Sequence, residues 1–254
     1  MPDGVAFADD FEGTGLDRSV WIPHYLPMWS SRAESAATFE VAESELRLTI
    51  PVDQGLWCEG DHDPPLRVSG IQSAVRSGPV ESTFGQQAYR EGLRVREEQE
   101  THLGWTPHHG RIEVRARMEL SPRSMASVWM VGLEDEPSRC GEICVFEVFG
   151  DAPQNVGMGT KRIGDPSLAG DFEAPLLDVD VSKFHDYAVE WQPGRVGFFV
   201  DGVHQRTVDE APEYPVQMMI GVFDFPAHAR AAESSGHVPM LAVDRVAQTR
   251  TRRV

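Results

Sequence analysis

The sequence feature that most constrains the fold is residues 141–150, where two carboxylates interrupt a run of strand-forming apolar residues. A buried strand rarely accepts a charged side chain without a partner, so Glu142 and Glu147 require an explanation. Regular alternation would place Glu142 and Cys144 on one face of the strand and Glu147 on the other. A β-bulge at Val145 and Phe146 would reset that alternation. The sequence therefore predicts a bulged strand that carries both carboxylates on one surface.

Two carboxyl groups about 5 Å apart on one face are the machinery of a retaining glycosidase. Residues 142–147 resemble the Glu-x-Asp-x-x-Glu signature of glycoside hydrolase family 16, the laminarinase, lichenase and agarase type. The resemblance implies that Glu142 is the nucleophile and Glu147 the general acid/base. Cys144 stands where the signature has its central Asp, and we include it in the candidate catalytic set. A thiol is a weak donor and is uncharged near neutrality unless it is activated.

Several further segments show strand patterns that resemble family 16 in the same order along the chain. The alternation is clearest from His109 to Met118, where every second residue is apolar. The other predicted strands are 45–50, 127–132, 184–191, 195–202, 218–225 and 241–246. Residues 94–100 could form a short helix or an edge strand, and we favour the strand. Residues 52–106 carry the weakest resemblance.

These strands and turns predict an all-β protein with little helix. The resemblance implies a concanavalin A-like β-jelly-roll sandwich of two curved antiparallel sheets, with a cleft on the concave face. The 23 glycines and 18 prolines are spread along the chain and mark no linker. We therefore expect a single domain over residues 1–254.

Aromatic side chains supply the candidate sugar-binding residues, because flat apolar rings suit the faces of pyranoses. Trp129 should lie across from the start of the signature strand, and the resemblance implies that it stacks on a sugar ring. Trp57 and Trp105 are candidates for outer subsites. Trp29 and Arg32 could line the cleft, or the rings around them could close one end of the core.

Composition limits the partners and the compartment. A formal charge of -17 opposes nucleic acid, sulfated glycans and anionic membranes, and no apolar run approaches the roughly 18 residues of a membrane span. We expect a neutral carbohydrate substrate. The first ten residues lack a signal-peptide pattern, and three cysteines make no disulfide framework, so we expect a cytoplasmic protein. The oligomeric state stays open.

A thiol-based site is one alternative interpretation. Cys140, Glu142 and Cys144 would share a strand face, where they could form part of a metal site or place a nucleophilic thiol beside His108 or His109. Zinc would need two more ligands, and none occurs at diagnostic spacing.

We expect no metal and no cofactor. His62 lies in an acidic segment without supporting ligand spacing. The calcium that family 16 often holds would fall near Asp10 and Asp244, which are far apart in sequence.

The sequence thus predicts a retaining endo-β-glycan hydrolase or transglycosylase that acts on a neutral β-linked glucan or galactan. Two alternatives remain open. The scaffold could serve a non-catalytic carbohydrate-binding or regulatory protein, because Cys144 removes a carboxylate, or it could catalyse another reaction on an intracellular metabolite. We also expect Cys144 to face a wet cleft and Cys144→Asp to leave the fold intact.

Overall fold

The computed structural model describes residues 4–228, 230, 232 and 236–250 and contains sixteen strands in that part of the chain. In chain order the strands are β1 (Val5–Asp9), β2 (Thr38–Ala42), β3 (Glu45–Thr49), β4 (Arg67–Gln72), β5 (Ala74–Val75), β6 (His102–Leu103), β7 (Gly110–Glu119), β8 (Ser124–Gly132), β9 (Glu142–Phe149), β10 (Val156–Lys161), β11 (Asp171–Glu173), β12 (His185–Gln192), β13 (Arg195–Val200), β14 (Val203–Val208), β15 (Val216–Asp224) and β16 (Met240–Thr249).

Two antiparallel sheets face each other. The larger has eight strands in the order β14-β13-β12-β7-β16-β3-β2, with β1 also paired to β16. The smaller has six strands in the order β11-β10-β9-β8-β15-β4. Two of its inner strands, β8 and β15, are buried along their whole length, which is expected of strands covered on both faces. The predicted all-β jelly-roll sandwich is confirmed.

Helix is scarce in the described residues, as the sequence predicts. They contain the 3-10 turn Pro27–Trp29 and no α-helix. Within the same residues, no helix is long and apolar enough to cross a membrane.

The strand patterns in the sequence have a direct structural basis. Along β7 every second side chain is buried, because this strand lies inside the larger sheet with one face on the core and one face partly open to solvent. The segment at 94–100 is different, and the strand expected there is wrong. Its backbone bonds to other loops, from Arg96 N to Met28 O and from Val95 N to Ser82 O, so no sheet is extended.

The molecule has two apolar clusters. One fills the space between the sheets and contains the inward side chains of both. The other lies on the outer, concave face of the six-stranded sheet, where Trp129, Met219 and Phe223 are covered by side chains from residues 22–29 and 57–95. Residues 52–106, which show the weakest strand pattern in the sequence, thus contribute to the cover over the concave face and to the walls of a cleft.

A buried ion cluster fixes the end of β15 beside that cleft. The Asp224 carboxylate accepts from Arg123 through Nε at 2.6 Å and through a second guanidinium nitrogen at 3.0 Å, and Arg67 contacts it at 2.6 Å. Asp224 is 1% exposed. Its neighbours Phe223 and Phe225 line the cleft, so the cluster anchors the backbone that presents them.

Asp224→Ala should destabilise the protein by about 3 kcal/mol or more, because it leaves two poorly solvated guanidinium groups without a counter-charge. The matched control is Asp135→Ala, since the Asp135–Arg139 pair is exposed and should be worth less than about 1 kcal/mol. Urea unfolding of both variants measures the difference. Equal effects from the two substitutions would contradict the role given to the Asp224 cluster.

Candidate active site

The bulge predicted in the signature strand is present in β9. On the β8 side, Val128 pairs with Phe146 while the next residue, Trp129, pairs with Cys144, so Val145 is the extra residue. The register shifts at the same place on the β10 side. The side chains of Ile143, Val145, Phe146 and Val148 enter the core between the sheets. Glu142 and Glu147 consequently both line the cleft on the concave face.

A glycine on β10 lets the neighbouring backbone approach the bulge. Gly159 pairs with Cys144 and has φ +148, a conformation that L side chains rarely adopt. A Cβ there would lie 2.1 Å from the Asp171 carbonyl oxygen of β11. Glycine at this position is therefore required for β9, β10 and β11 to lie together behind the two carboxylates.

Lys161 joins the two carboxylates. It ends β10 directly opposite Glu142 in the strand register. Its Nζ lies 3.1 Å from Glu142 Oε1 and 3.0 Å from Glu147 Oε2, and it sits 4.7 Å from the centroid of the Phe172 ring. Because both oxygens touch one nitrogen, they are at most about 6 Å apart. That upper limit is compatible with the roughly 5–5.5 Å between the catalytic carboxyl groups of retaining glycosidases. It lies below the roughly 6.5–9.5 Å found in inverting ones.

Burial and charge act in opposite directions on Glu142. The residue is 8% exposed, and burial raises the pKa of its carboxyl group above the ordinary value. The Lys161 ammonium opposes this rise, and the Glu147 carboxylate adds to it. For Lys161, burial alone would lower the pKa, but the charges of Glu142 and Glu147 raise it well above its usual range. Lys161 is therefore a permanent cation at neutral pH.

Cys144 does not face a wet cleft, and that expectation is wrong. Its side chain is fully buried, and burial, followed by the charge of Glu142, raises the pKa of the thiol well above its usual range. The extra residue at the bulge turns Glu147 to the cleft but leaves the shorter Cys144 side chain covered. A thiol held neutral in this way is a poor nucleophile.

The other members of the thiol alternative are not assembled around Cys144. Cys140 lies before β9 begins, and its sulfur packs toward Gly164. The rings of His108 and His109 pack against Trp191, which lies on β12 in the larger sheet. Neither histidine is among the groups that contact the cleft.

The cleft has a volume of about 260 Å³ and is lined on most sides by aromatic and apolar side chains. Tyr25 packs edge-on against Trp57 and Phe223, at centroid distances of 5.0 and 5.5 Å. The Trp129 indole donates from Nε1 to Gln87 Oε1 at 3.2 Å. The lining residues are Tyr25, His62, Leu66, Gln87, Met125, Ser127, Trp129, Glu142, Glu147, Lys161, Phe223 and Phe225.

The structure brings only one of the predicted sugar-binding residues to the cleft. Trp129 lines it with an indole that is 6% exposed. Trp57 is buried behind Tyr25 and supports the wall. Trp29 is fully buried and donates to Gln86 O, and Trp105 stacks on Phe7 in the core between the sheets. Both rings lie in apolar clusters, where the surrounding side chains bury them.

Arg32 lies elsewhere as well. Its Nε donates to Gln99 Oε1 at 2.8 Å, and the side chain lines a separate groove with Arg18, His24 and His102.

Sequence reasoning missed Lys161, Tyr25, His62 and Phe223 as members of the site. One signal was available for Lys161, because only two lysines, Lys161 and Lys183, occur among the 23 basic residues of the chain. A rare lysine at the end of the strand that follows the signature was a candidate partner for the carboxylates. Tyr25 and His62 come from irregular loops, whose position over a sheet has no periodic signature.

No three metal-ligating side chains converge within the described residues. Asp244 accepts from Arg115 Nε at 3.0 Å, and Asp10 lies 3.5 Å from Arg245 Nε. His62 Nδ1 contacts Pro64 O at 2.8 Å.

The cysteines should be unreactive in the folded protein. Burial raises the pKa of Cys58 to about 11 and also raises the pKa values of Cys140 and Cys144. Iodoacetamide at pH 8 should therefore label no cysteine rapidly in the native state and all three in urea, as read by mass spectrometry. Rapid labelling of native Cys144 with loss of activity would contradict this account and support the thiol alternative.

Comparisons with known proteins identify the family and the fold. The family model described as glycosyl hydrolases family 16 matches residues 101–238, which include β7 to β15. The chain is 25% identical over 209 residues to glucan endo-1,3-beta-glucosidase A1 of Niallia circulans, covering 78% of this chain and 28% of that protein. It is 29% identical over 100 residues to a glucan endo-1,3-beta-glucosidase of Cryptopygus antarcticus, 37% of each protein. The chain therefore spans well under half of these curated relatives.

Solved structures show the same fold. The GlcNAcα1-4Gal-releasing endo-β-galactosidase of Clostridium perfringens superposes with a TM-score of 0.81 at 24% identity, covering 96% of this chain and 62% of that one. The laminarinase catalytic domain of Thermotoga petrophila RKU-1 gives 0.67 at 15% identity, covering 98% of both chains. With a family match over more than half of its length, the chain belongs to glycosyl hydrolases family 16.

Proposed function

We propose that this protein is a retaining endo-β-glycan hydrolase or transglycosylase, with Glu142 as nucleophile and Glu147 as general acid/base. The observation that carries the proposal is the placement of both carboxylates on one face of a bulged strand, with their nearest oxygens within about 6 Å. At that separation Glu142 can reach the anomeric carbon while Glu147 reaches the glycosidic oxygen. An inverting enzyme would need a wider gap to admit a water molecule.

The reaction has two half-reactions. In the first, Glu142 attacks the anomeric carbon, the bond from that carbon to the leaving oxygen breaks, and protonated Glu147 gives its proton to that oxygen. The product is a glycosyl ester on Glu142, and Glu147 is left as an anion. In the second, Glu147 takes a proton from water, or from an acceptor sugar hydroxyl, which attacks the ester and releases Glu142.

A neutral β-glucan or β-galactan is the substrate class that the site supports best. Tyr25, Trp129 and Phe223 give the cleft aromatic walls that suit pyranose faces. Lys161 already neutralises part of the carboxylate charge, and a chain of net charge -17 repels polyanions. The relatives named above include glucan endo-1,3-beta-glucosidases and an endo-β-galactosidase.

A non-catalytic carbohydrate-binding protein is the second candidate. It is favoured by one observation, the engagement of both carboxylates by Lys161 beside a neutral Cys144. Glycan binding measured by calorimetry, without any product over days, would support it against the enzyme.

Glu142→Gly should reduce hydrolysis of β-1,3-glucan, β-1,3/1,4-glucan or β-galactan to background, because the attacking group is gone. Azide, which fits the space left by the carboxylate, should restore turnover of aryl glycosides and give a glycosyl azide of inverted configuration. Recovery of full activity without azide would remove Glu142 as nucleophile.

Glu147→Gln should behave differently. It should slow cleavage of the natural glycan by about 10²–10⁴-fold but slow glycosyl-enzyme formation from a dinitrophenyl glycoside much less, because that leaving group needs no proton. The matched control is Glu119→Gln, a carboxylate that is 58% exposed and outside the cleft, which should keep native rates. Equal loss of both activities in Glu147→Gln would contradict the acid role.

A further inference from the structure

Lys161 is the cleft residue whose role the two-carboxylate mechanism leaves unassigned. Its ammonium lies almost equally far from both carboxylates, at 3.1 and 3.0 Å, and it is held there by strand register opposite Glu142. The side chain is about one-third exposed, and the Phe172 ring supports it at 4.7 Å. A compact ammonium with three donors can bond two carboxylates at once.

The negative charge of the site moves between the two half-reactions. Before glycosylation Glu142 must be an anion and Glu147 must carry a proton. After glycosylation Glu142 is a neutral ester and Glu147 is the anion. A single cation placed between the two groups therefore has one anionic partner at each stage, and the trio is neutral both times.

Among the described residues, Lys161 is the basic side chain that forms ion pairs with Glu142 and Glu147. The titratable groups that face Glu142 are Cys144 and Glu147 on its own strand, Lys161 on β10, and Tyr25 and His62 across the cleft. Burial, the charge of Glu142 and that of Cys58 raise the pKa of Tyr25, so its hydroxyl stays neutral. His62 Nδ1 is engaged with Pro64 O, and its ring packs against Trp57 and Tyr89.

We propose that Lys161 is a positioning residue that acts as the shared counter-ion of both half-reactions, pairing with Glu142 in the first and with Glu147 in the second. This inference rests on the proposed function and adds a residue to it. Cys144 at the centre of the signature is buried and a weak donor, so it cannot hold the nucleophile ionised. Lys161 does so by charge.

The sign of the expected pH effect follows from burial. Without Lys161, the low-dielectric surroundings of Glu142 favour its protonated form, so its titration midpoint moves to higher pH. Only ionised Glu142 can attack. The acid limb, which is the rise of kcat/KM with pH on the acid side of its profile, therefore also moves to higher pH.

The first test does not depend on turnover. Glutamate labelled with ¹³C at the carboxyl carbon is titrated by NMR, with the Glu142 signal assigned by its loss in Glu142→Gln. The Glu142 midpoint should move to higher pH in Lys161→Met and stay in place in Lys183→Met, a matched control that removes the exposed second lysine. An unchanged midpoint in folded Lys161→Met would overturn the proposal, whereas absence of glycan cleavage by the native protein would count only against the proposed function.

The second test is kinetic and uses a dinitrophenyl β-oligoglycoside of the glycan that the native protein cleaves. Lys161→Met should lower kcat/KM by about 10- to 100-fold, the effect of losing one charge-assisted hydrogen bond, and should move the acid limb of the kcat/KM profile to higher pH. Lys161→Arg keeps the positive charge, so the acid limb of its kcat/KM profile should lie at the same pH as that of the native protein. Loss on the natural glycan alone, with the dinitrophenyl substrate unaffected, would show that Lys161 acts only through Glu147 and would overturn the shared role.

If Lys161→Met does not fold, as judged by its thermal melt, Lys161→Gln serves in both tests. Glutamine keeps a donor for the carboxylates but removes the charge. If the acid limb of kcat/KM and the titration midpoint of Glu142 were both unchanged in that variant, the proposal would equally be overturned.

Discussion

The extra residue in β9 is the constraint on which the rest of the site depends. Without it, strand alternation would put Glu142 and Glu147 on opposite faces, with one carboxylate in the core between the sheets. With Val145 inserted, both line the cleft, and the apolar residues between them still enter the core. The partner strand accommodates this change through Gly159. A local backbone irregularity thus converts a structural strand into a candidate active site.

Two carboxylates close together repel each other, and the positive charge that compensates is Lys161 on the adjacent strand β10. Glu142 is almost fully buried, so burial and the charge of Glu147 both favour its neutral form. Lys161 opposes both effects from a position fixed by register. The cation is as close to one carboxylate as to the other, which suits a reaction in which the charge changes places. Cys144 contributes volume and no charge.

Much of the fold and the centre of the site could be predicted from the sequence. The period-two alternation of the strands and the departure of Glu147 from that alternation are both local signals. The bulge was predicted because regular alternation would place Glu147 on the opposite face from Glu142. The cleft walls could not be predicted, since residues 52–106 have no period and their rings are placed by tertiary packing. Trp29 and Trp105 were candidate sugar-binding residues because of their residue type alone, but tryptophan also packs in apolar cores, where both are found. Burial of Cys144 likewise depended on neighbours distant in sequence.

The central claim is that the bulge sets a carboxylate separation suited to a covalent glycosyl-enzyme. The most direct measurement is ¹H NMR of the anomeric proton of the first-formed reducing end, recorded within the first turnovers on a β-glycan before mutarotation. The account predicts that the β-configuration is retained, because two displacements each invert the anomeric carbon. An initial α-anomer would show a single displacement by water and would contradict the assignment of Glu142 as nucleophile.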